Sequence, residues 1–346
     1  MRRTLTLLMA SLLGAAATAG AQSDPAHRVV VRDVVVTAPA HAYQGRSSGP
    51  EETERFSRKM KIGRDGRVNL ANIAGDIVLT AGTGDEVSIE AVKRTRGPRS
   101  ELATVHIDIA ERGSRVEVQT THTSRRDRVS VDFTVSVPAS TSLEIHSISG
   151  SIKVTGVRGT VRAETISGDV TATDTPRLEA ARSTSGNVSI AGISIEGELA
   201  VGSLSGTVTA RNVKAHGLDL GSVSGNVMVA DVTCDRLGAK SVSGSIEYAG
   251  TLNKAGRYEI NTHSGTVRLM LANPPGFELN ANSFSGSVRS DFPMTIGGNA
   301  SSSATSDRNG RRRVVVSNRS MRATYGDGSA TLTIRTFSGD IVISKK

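Results

Sequence analysis

The chain has 346 residues, among them 36 glycines, four tyrosines, six phenylalanines, one cysteine and no tryptophan, and its formal net charge is +9. The lone Cys234 excludes an internal disulfide, and the scarcity of aromatic side chains argues against a saccharide site built on stacking platforms. Frequent aliphatic residues together with abundant glycine suit short strands joined by tight corners.

The first 26 residues, MRRTLTLLMASLLGAAATAGAQSDPA, place two arginines before an apolar run and end it with Ala19-Gly20-Ala21, a small-x-small cleavage pattern. This predicts a signal peptide over residues 1–21 and an exported chain that is periplasmic, cell-surface or secreted. The run is too short for a transmembrane segment, and no cysteine near the cleavage point could take a lipid, so the exported chain is expected to be soluble. Residues 22–60, including HAYQGRSSGPEETE, read as a flexible polar lead-in. From there to residue 346 the chain is expected to form one β-rich unit.

Alternation of apolar and polar residues begins near residue 66, in GRVNLANIAGDIVLTAGTGDEVSIEAVKR, TVHIDIAERGSRVEVQTT and RVSVDFTVSVPAST. These strands lack a regular corner motif and suit an atypical first end that caps a stack. A repeat follows. Ser-Gly pairs place glycine at 150, 168, 186, 206, 225, 244, 265, 286 and 339, and a near-copy, NIAGDIVL, stands earlier with Gly75. The first eight are 18 to 21 residues apart, the mark of stacked structural units.

Alignment on these glycines shows what each unit requires. Two residues after the glycine the side chain is always Val or Ile, as in Ile152, Val170 and Val188. Two before it stands a second, mostly apolar column, from Ile148 through Val242 and His263 to Phe284 and Phe337. Three before it every unit has Ser or Thr, and seven before it most have Leu, Val or Tyr, with Glu179 as the exception beside Leu178. Residues two apart share a face of a strand, so each glycine reads as a corner between two strands. A unit this short cannot bury its own apolar face, whereas stacked units build a continuous core. The predicted fold is therefore all-β: a single-stranded parallel β-solenoid of about 18–21 residues per turn, rising roughly 4.8 Å per turn. The apolar positions 152, 154, 157, 161 and 166 lack the six-residue period of left-handed hexapeptide coils, which favours a right-handed one.

Between Gly286 and Gly339 the gap leaves room for two further turns and an insertion at about 293–330, with GGNASSSATSDRNGRRR as a projecting loop. The closing Lys345-Lys346 is expected to guard an exposed sheet edge. The repeat from Ser147 to Phe292 is neutral, with thirteen basic and thirteen acidic residues, so the positive excess lies in the flanks: ERFSRKMKIGR, KRTRGPR, SRRDR and RNGRRR. Arg311, Arg312 and Arg313 carry the strongest local charge and are the candidate partner-binding residues, toward an acidic glycan, an anionic lipid or an envelope protein. Basic runs without interleaved aromatics do not describe a dedicated nucleic-acid reader.

Nothing in the sequence marks a catalytic centre. The seven histidines show no metal-ligand spacing, and neither a nucleophile elbow nor a phosphate loop is present. Asp76, Asp169 and Asp340 each follow a corner glycine, where turn chemistry accounts for them. His263 reads as a buried or corner histidine, and Cys234 as a buried core residue. No catalytic residue, metal or cofactor is expected.

In NIAGDIVLTAGTGDEVSIEAVKR, in the tandem SGSIKV, SGDVTA, SGNVSI, SGTVTA, SGNVMV and SGSIEY units, and in the ending YGDGSATLTIRTFSGDIVIS, the chain resembles the DUF4097-type family of bacterial adhesin-like β-solenoids. The resemblance spans about residues 55–344. It implies an adhesin or an envelope binding and scaffold protein without enzymatic activity, and it brings no catalytic residues. A carbohydrate-active β-helix enzyme and a self-assembling structural solenoid are the alternatives.

Overall fold

The computed structural model describes residues 50–123, 128–296, 302–306, 312–316 and 320–346. The leader and most of the lead-in lie outside it. Almost everything described is strand, joined into one long and mostly parallel sheet, with a single short 3-10 helix at Arg99–Thr104.

The column two residues after the corner is the inner ladder of this sheet. Ile77 pairs in parallel with Ile152, and Ile152, Val170, Val188, Val208, Val227, Ile246 and Val267 then follow one another in register. All are fully buried. Branching at Cβ suits a pleated surface packed on both sides, which is why no other residue type stands there. A second buried wall comes from the column seven before the corner, with Leu199, Leu218, Leu237, Tyr258, Leu332 and Leu279 in register. At the exceptional unit a bulge lets Val161 pair with Leu178 while Arg162 pairs with Ala180, so Glu179 is passed over and stays exposed. Cys234 is buried as expected.

Each unit forms one rung, named here by its corner glycine. The rungs stack in sequence order except at the last end, and a long stretch of chain separates the first two. The Gly75 rung lies directly on the Gly150 rung, Val68 pairing with Leu143. The chain between them supplies the cap, with Ser130–Pro138 parallel to Ile77–Gly82 and Glu86–Thr95 antiparallel to Ser130–Pro138. Glu52–Lys61, expected within the lead-in, instead forms a ten-residue strand antiparallel to Glu86–Thr95.

At the other end the last unit returns inward. Tyr258 pairs with Leu332 and Leu332 with Leu279, and likewise Val267 with Ile341 and Ile341 with Val288. The Gly339 rung is therefore inserted between the Gly265 and Gly286 rungs. Among the described residues there are neither two extra turns nor an exposed C-terminal edge, which corrects the role expected of Lys345-Lys346. The Lys346 amine meets Asp231 at 2.7 Å, and Lys345 lies over the Phe292 ring, 5.6 Å from its centroid. The physical reason is that the outer side of the Gly286 rung is already taken by antiparallel partners. Ser320–Tyr325 and Arg312–Val316 cover that side, which leaves the inner slot for a parallel neighbour. The expected projecting loop is in part a hairpin, with Ser302–Ser306 antiparallel to Arg312–Val316.

Candidate functional site

The corner repeats through ten rungs and builds three parallel ladders. At its centre glycine meets glycine: a Cβ placed on Gly186 would overlap the carbonyl oxygen of Gly168, and one on Gly206 that of Gly186. The same overlap recurs at Gly150, Gly168, Gly225, Gly244, Gly265, Gly339 and Gly286, while at Gly75 a Cβ would strike the Val131 carbonyl of the cap. The glycines are thus required by close backbone approach.

Beside them runs a hydroxyl ladder. The Ser or Thr three before each corner donates to the carbonyl of the preceding corner glycine: Ser183 to Gly168 at 2.8 Å, Ser203 to Gly186 at 2.7 Å, Ser222 to Gly206 at 2.8 Å and Ser241 to Gly225 at 2.9 Å. The capping rung alters the pattern. There the Asn72 amide donates to Gly75 O and Val131 O, and the Ser147 hydroxyl, though buried, finds no partner among the described residues.

A third ladder follows the glycine. Asp76 accepts from the Ser151 amide, Asp169 from the Asn187 amide, Asn187 from the Thr207 amide, Asn226 from the Ser245 amide, and Asp340 from both the amide and hydroxyl of Ser287. Those donations hold the Asp340 carboxyl below the ordinary range. The three aspartates therefore act as turn residues, each tying its rung to the next.

The column two before the corner points outward, a placement that alternation around a glycine does not by itself disclose. Ile148, Ile166, Leu204, Val242, Phe337 and Phe284 are 38 to 51% exposed, in one line along the stack. His263 is exposed in the same line and stacks on Phe337 at 4.8 Å, and Phe337 stacks on Phe284 at 4.7 Å with the ring planes nearly parallel. His263 is thus a corner histidine and, among the described residues, belongs to no metal-holding group.

The basic flanks are less free than their sequence implies. Lys93 meets Glu54 at 3.3 Å, Arg94 meets Asp132 at 3.0 Å, Arg99 meets Glu52 at 3.6 Å and Lys61 meets Asp85 at 3.0 Å, all within the first cap. Arg312 and Arg313 stand on the strand Arg312–Val316, and Arg311 lies outside the described residues. Among the described residues no group of three or more His, Cys, Asp or Glu could hold a metal ion. Burial pushes the Cys234 thiol up to about 12, which leaves it an inert core residue. No helix is long and apolar enough to cross a membrane, among the described residues.

The family model described as Toastrack DUF4097 matches residues 67–344. The chain belongs to that family. The Toastrack match takes in all ten rungs and leaves out the outer strand Glu52–Lys61. Among solved structures, a candidate adhesin from Bacteroides fragilis is 13% identical, with 85% of this chain and 97% of that one covered and a TM-score of 0.41. A candidate cell adhesion protein from Clostridium sporogenes is 9% identical over 85% of this chain and 100% of that one, with a TM-score of 0.25. A candidate lipid binding protein from Parabacteroides distasonis is 13% identical over 64% of this chain and 90% of that one, with a TM-score of 0.39. No curated protein matches the chain.

Proposed function

We propose that this Toastrack chain is an exported, non-enzymatic binding or scaffold protein of the bacterial envelope, adhesin-like in the sense that a repeated surface holds a partner. Residues 1–21 serve as its signal peptide, and its rungs wind as a right-handed coil of about 18–21 residues per turn. The observation that carries this reading is the uniformity of the outer faces: the polar groups of the corner are consumed in holding rung to rung, and the side chains left outward recur in straight rows. Repeated rows suit an extended partner, whereas catalysis needs unlike groups converging on one point.

Arg311, Arg312 and Arg313 supply the attraction to an acidic glycan, an anionic lipid or an acidic envelope protein, with outward Ser, Thr and Asn rows completing the contact. The test is binding of the leaderless chain, Gln22 to Lys346, to arrays of glycans, anionic lipids and envelope extracts at low and high salt. Replacing the three arginines by glutamine should weaken binding to one acidic class at low salt. Unchanged binding would remove the arginines from the reading, and no binding to any class would remove the adhesin-like role.

A further inference from the structure

The outward apolar row is not demanded by the fold. Thr184 and His263 occupy the same position as Ile166 and Phe337 and make the same corner, so a polar residue there is tolerated. Six large apolar side chains nevertheless stand half exposed in this one column. The row lies on the outside of a turning corner, exposed along its length. What covers such an edge is a broad, deformable apolar medium.

The aromatic end fixes the chemistry further. Stacking occupies both faces of Phe337 and one face each of His263 and Phe284, which makes the row a poor platform for a sugar. Two residues before this row, on the same face, lie Lys240, Asn261, Arg335 and Asn282, and the nearest carboxylate, Glu259, accepts from the Asn261 amide at 2.9 Å. Neither Lys240 nor Arg335 has an ion pair among the described residues, whereas at the far end Glu164 lies 3.9 Å from both His146 and Arg182. Free cations thus accompany the rings and satisfied charges accompany the aliphatic end.

We propose that this corner row is a membrane-contacting edge: its Phe284–Phe337–His263 end enters the interface of an anionic phospholipid bilayer, with Lys240 and Arg335 against the lipid phosphates. It rests on the reading of the chain as an envelope-binding protein, and it assigns a surface distinct from the Arg311–Arg313 segment. Apolar edges at the headgroup boundary gain burial, and the flanking cations gain attraction that salt screens.

The chain has no tryptophan, so Phe337→Trp installs a unique reporter. With vesicles containing phosphatidylglycerol at low salt, the leaderless F337W chain should show blue-shifted emission that is quenched by brominated acyl chains. An Arg112→Trp chain, carrying its reporter in an exposed hairpin of the first cap, should show neither. Joint replacement Phe284→Ser and Phe337→Ser should lower vesicle partitioning about tenfold with an unchanged thermal melt, since both side chains are already half in water. Arg335→Gln with Lys240→Gln should remove the preference for phosphatidylglycerol over phosphatidylcholine. The inference is overturned if F337W emission does not move with vesicles, or if it shifts without lipid as the chain dimerises, which would make the row a self-association surface. Loss of glycan or lipid binding through the Arg311–Arg313 substitution, with F337W emission unmoved, would overturn the membrane edge and leave the proposed function standing.

Discussion

Gly186 and Gly221 are separated by 35 positions in one repeat, yet a methyl group means different things at each. At Gly186 it would overlap the Gly168 carbonyl, and at Gly221 it would meet nothing within 4 Å. Gly186→Ala should therefore force adjacent rungs apart and cost roughly 3 kcal/mol or more, whereas Gly221→Ala should stay within about 1 kcal/mol of the parent in denaturant melts. The hydroxyl ladder offers a second contrast. Ser222→Ala leaves the Gly206 carbonyl short of a donor and should cost about 1 kcal/mol, while Ser147→Ala removes a hydroxyl that has no partner among the described residues and should be nearly neutral or stabilising. Equal effects of the two serine changes would show that the hydroxyls act through local turn preference, not through the rung-to-rung bond.

The corner columns were legible in the sequence because each records a constraint that every rung shares: no Cβ at the glycine, a hydroxyl three before it, a β-branched side chain two after it. Spacing carried that information. The outward turn of Phe284 and Phe337 was not legible, because an apolar residue two before a corner fits either an inward or an outward strand position until the bend at the glycine is known. Nor was rung order. Leu332, Thr336 and Ile341 satisfy the same columns as any other rung, so the sequence of the Gly339 unit fits every slot equally, and only the antiparallel strands packed on the Gly286 rung assign it the inner one. That placement has consequences for the element. Removing Asp327–Lys346 takes out an interior rung rather than the end of the stack. Hydrogen exchange should then accelerate across Arg257–Leu271 and Phe277–Ser290 together, and not at the C-terminal edge alone. The rung is also tied by Asp340, whose carboxyl accepts from Ser287. A carboxyl held below its ordinary value stabilises fully above that ordinary value of about 3.9, and the contribution is lost as pH falls through the depressed one. The stability difference between the parent and Asp340→Asn should accordingly be constant near neutrality and shrink in acid.

For the whole molecule the problem is the open sheet edge. Ten parallel rungs expose unpaired backbone at both ends unless something closes them, and flat edges recruit other chains. At the first end Glu86–Thr95 would be such an edge, with Val87, Ile89 and Ala91 buried along it, and Glu52–Lys61 covers it through ten residue pairs. This outer strand reads ETERFSRKMK, with charges at most of its positions, and its only strand partner among the described residues is Glu86–Thr95. The charges that the sequence seemed to place at the C-terminus as edge protection are thus found here, where the edge is. A chain shortened to begin at Arg67, the first residue of the family match, keeps every rung but uncovers Glu86–Thr95. It should retain its strand content by circular dichroism and associate with rising concentration in light scattering, through edge pairing that salt does not dissolve. A shortened chain that stays monomeric would mean that the twist of the cap protects the edge and that Glu52–Lys61 serves another purpose. If instead it unfolds, the strand is part of the core, and the burial of Met60 against the cap is then its main contribution.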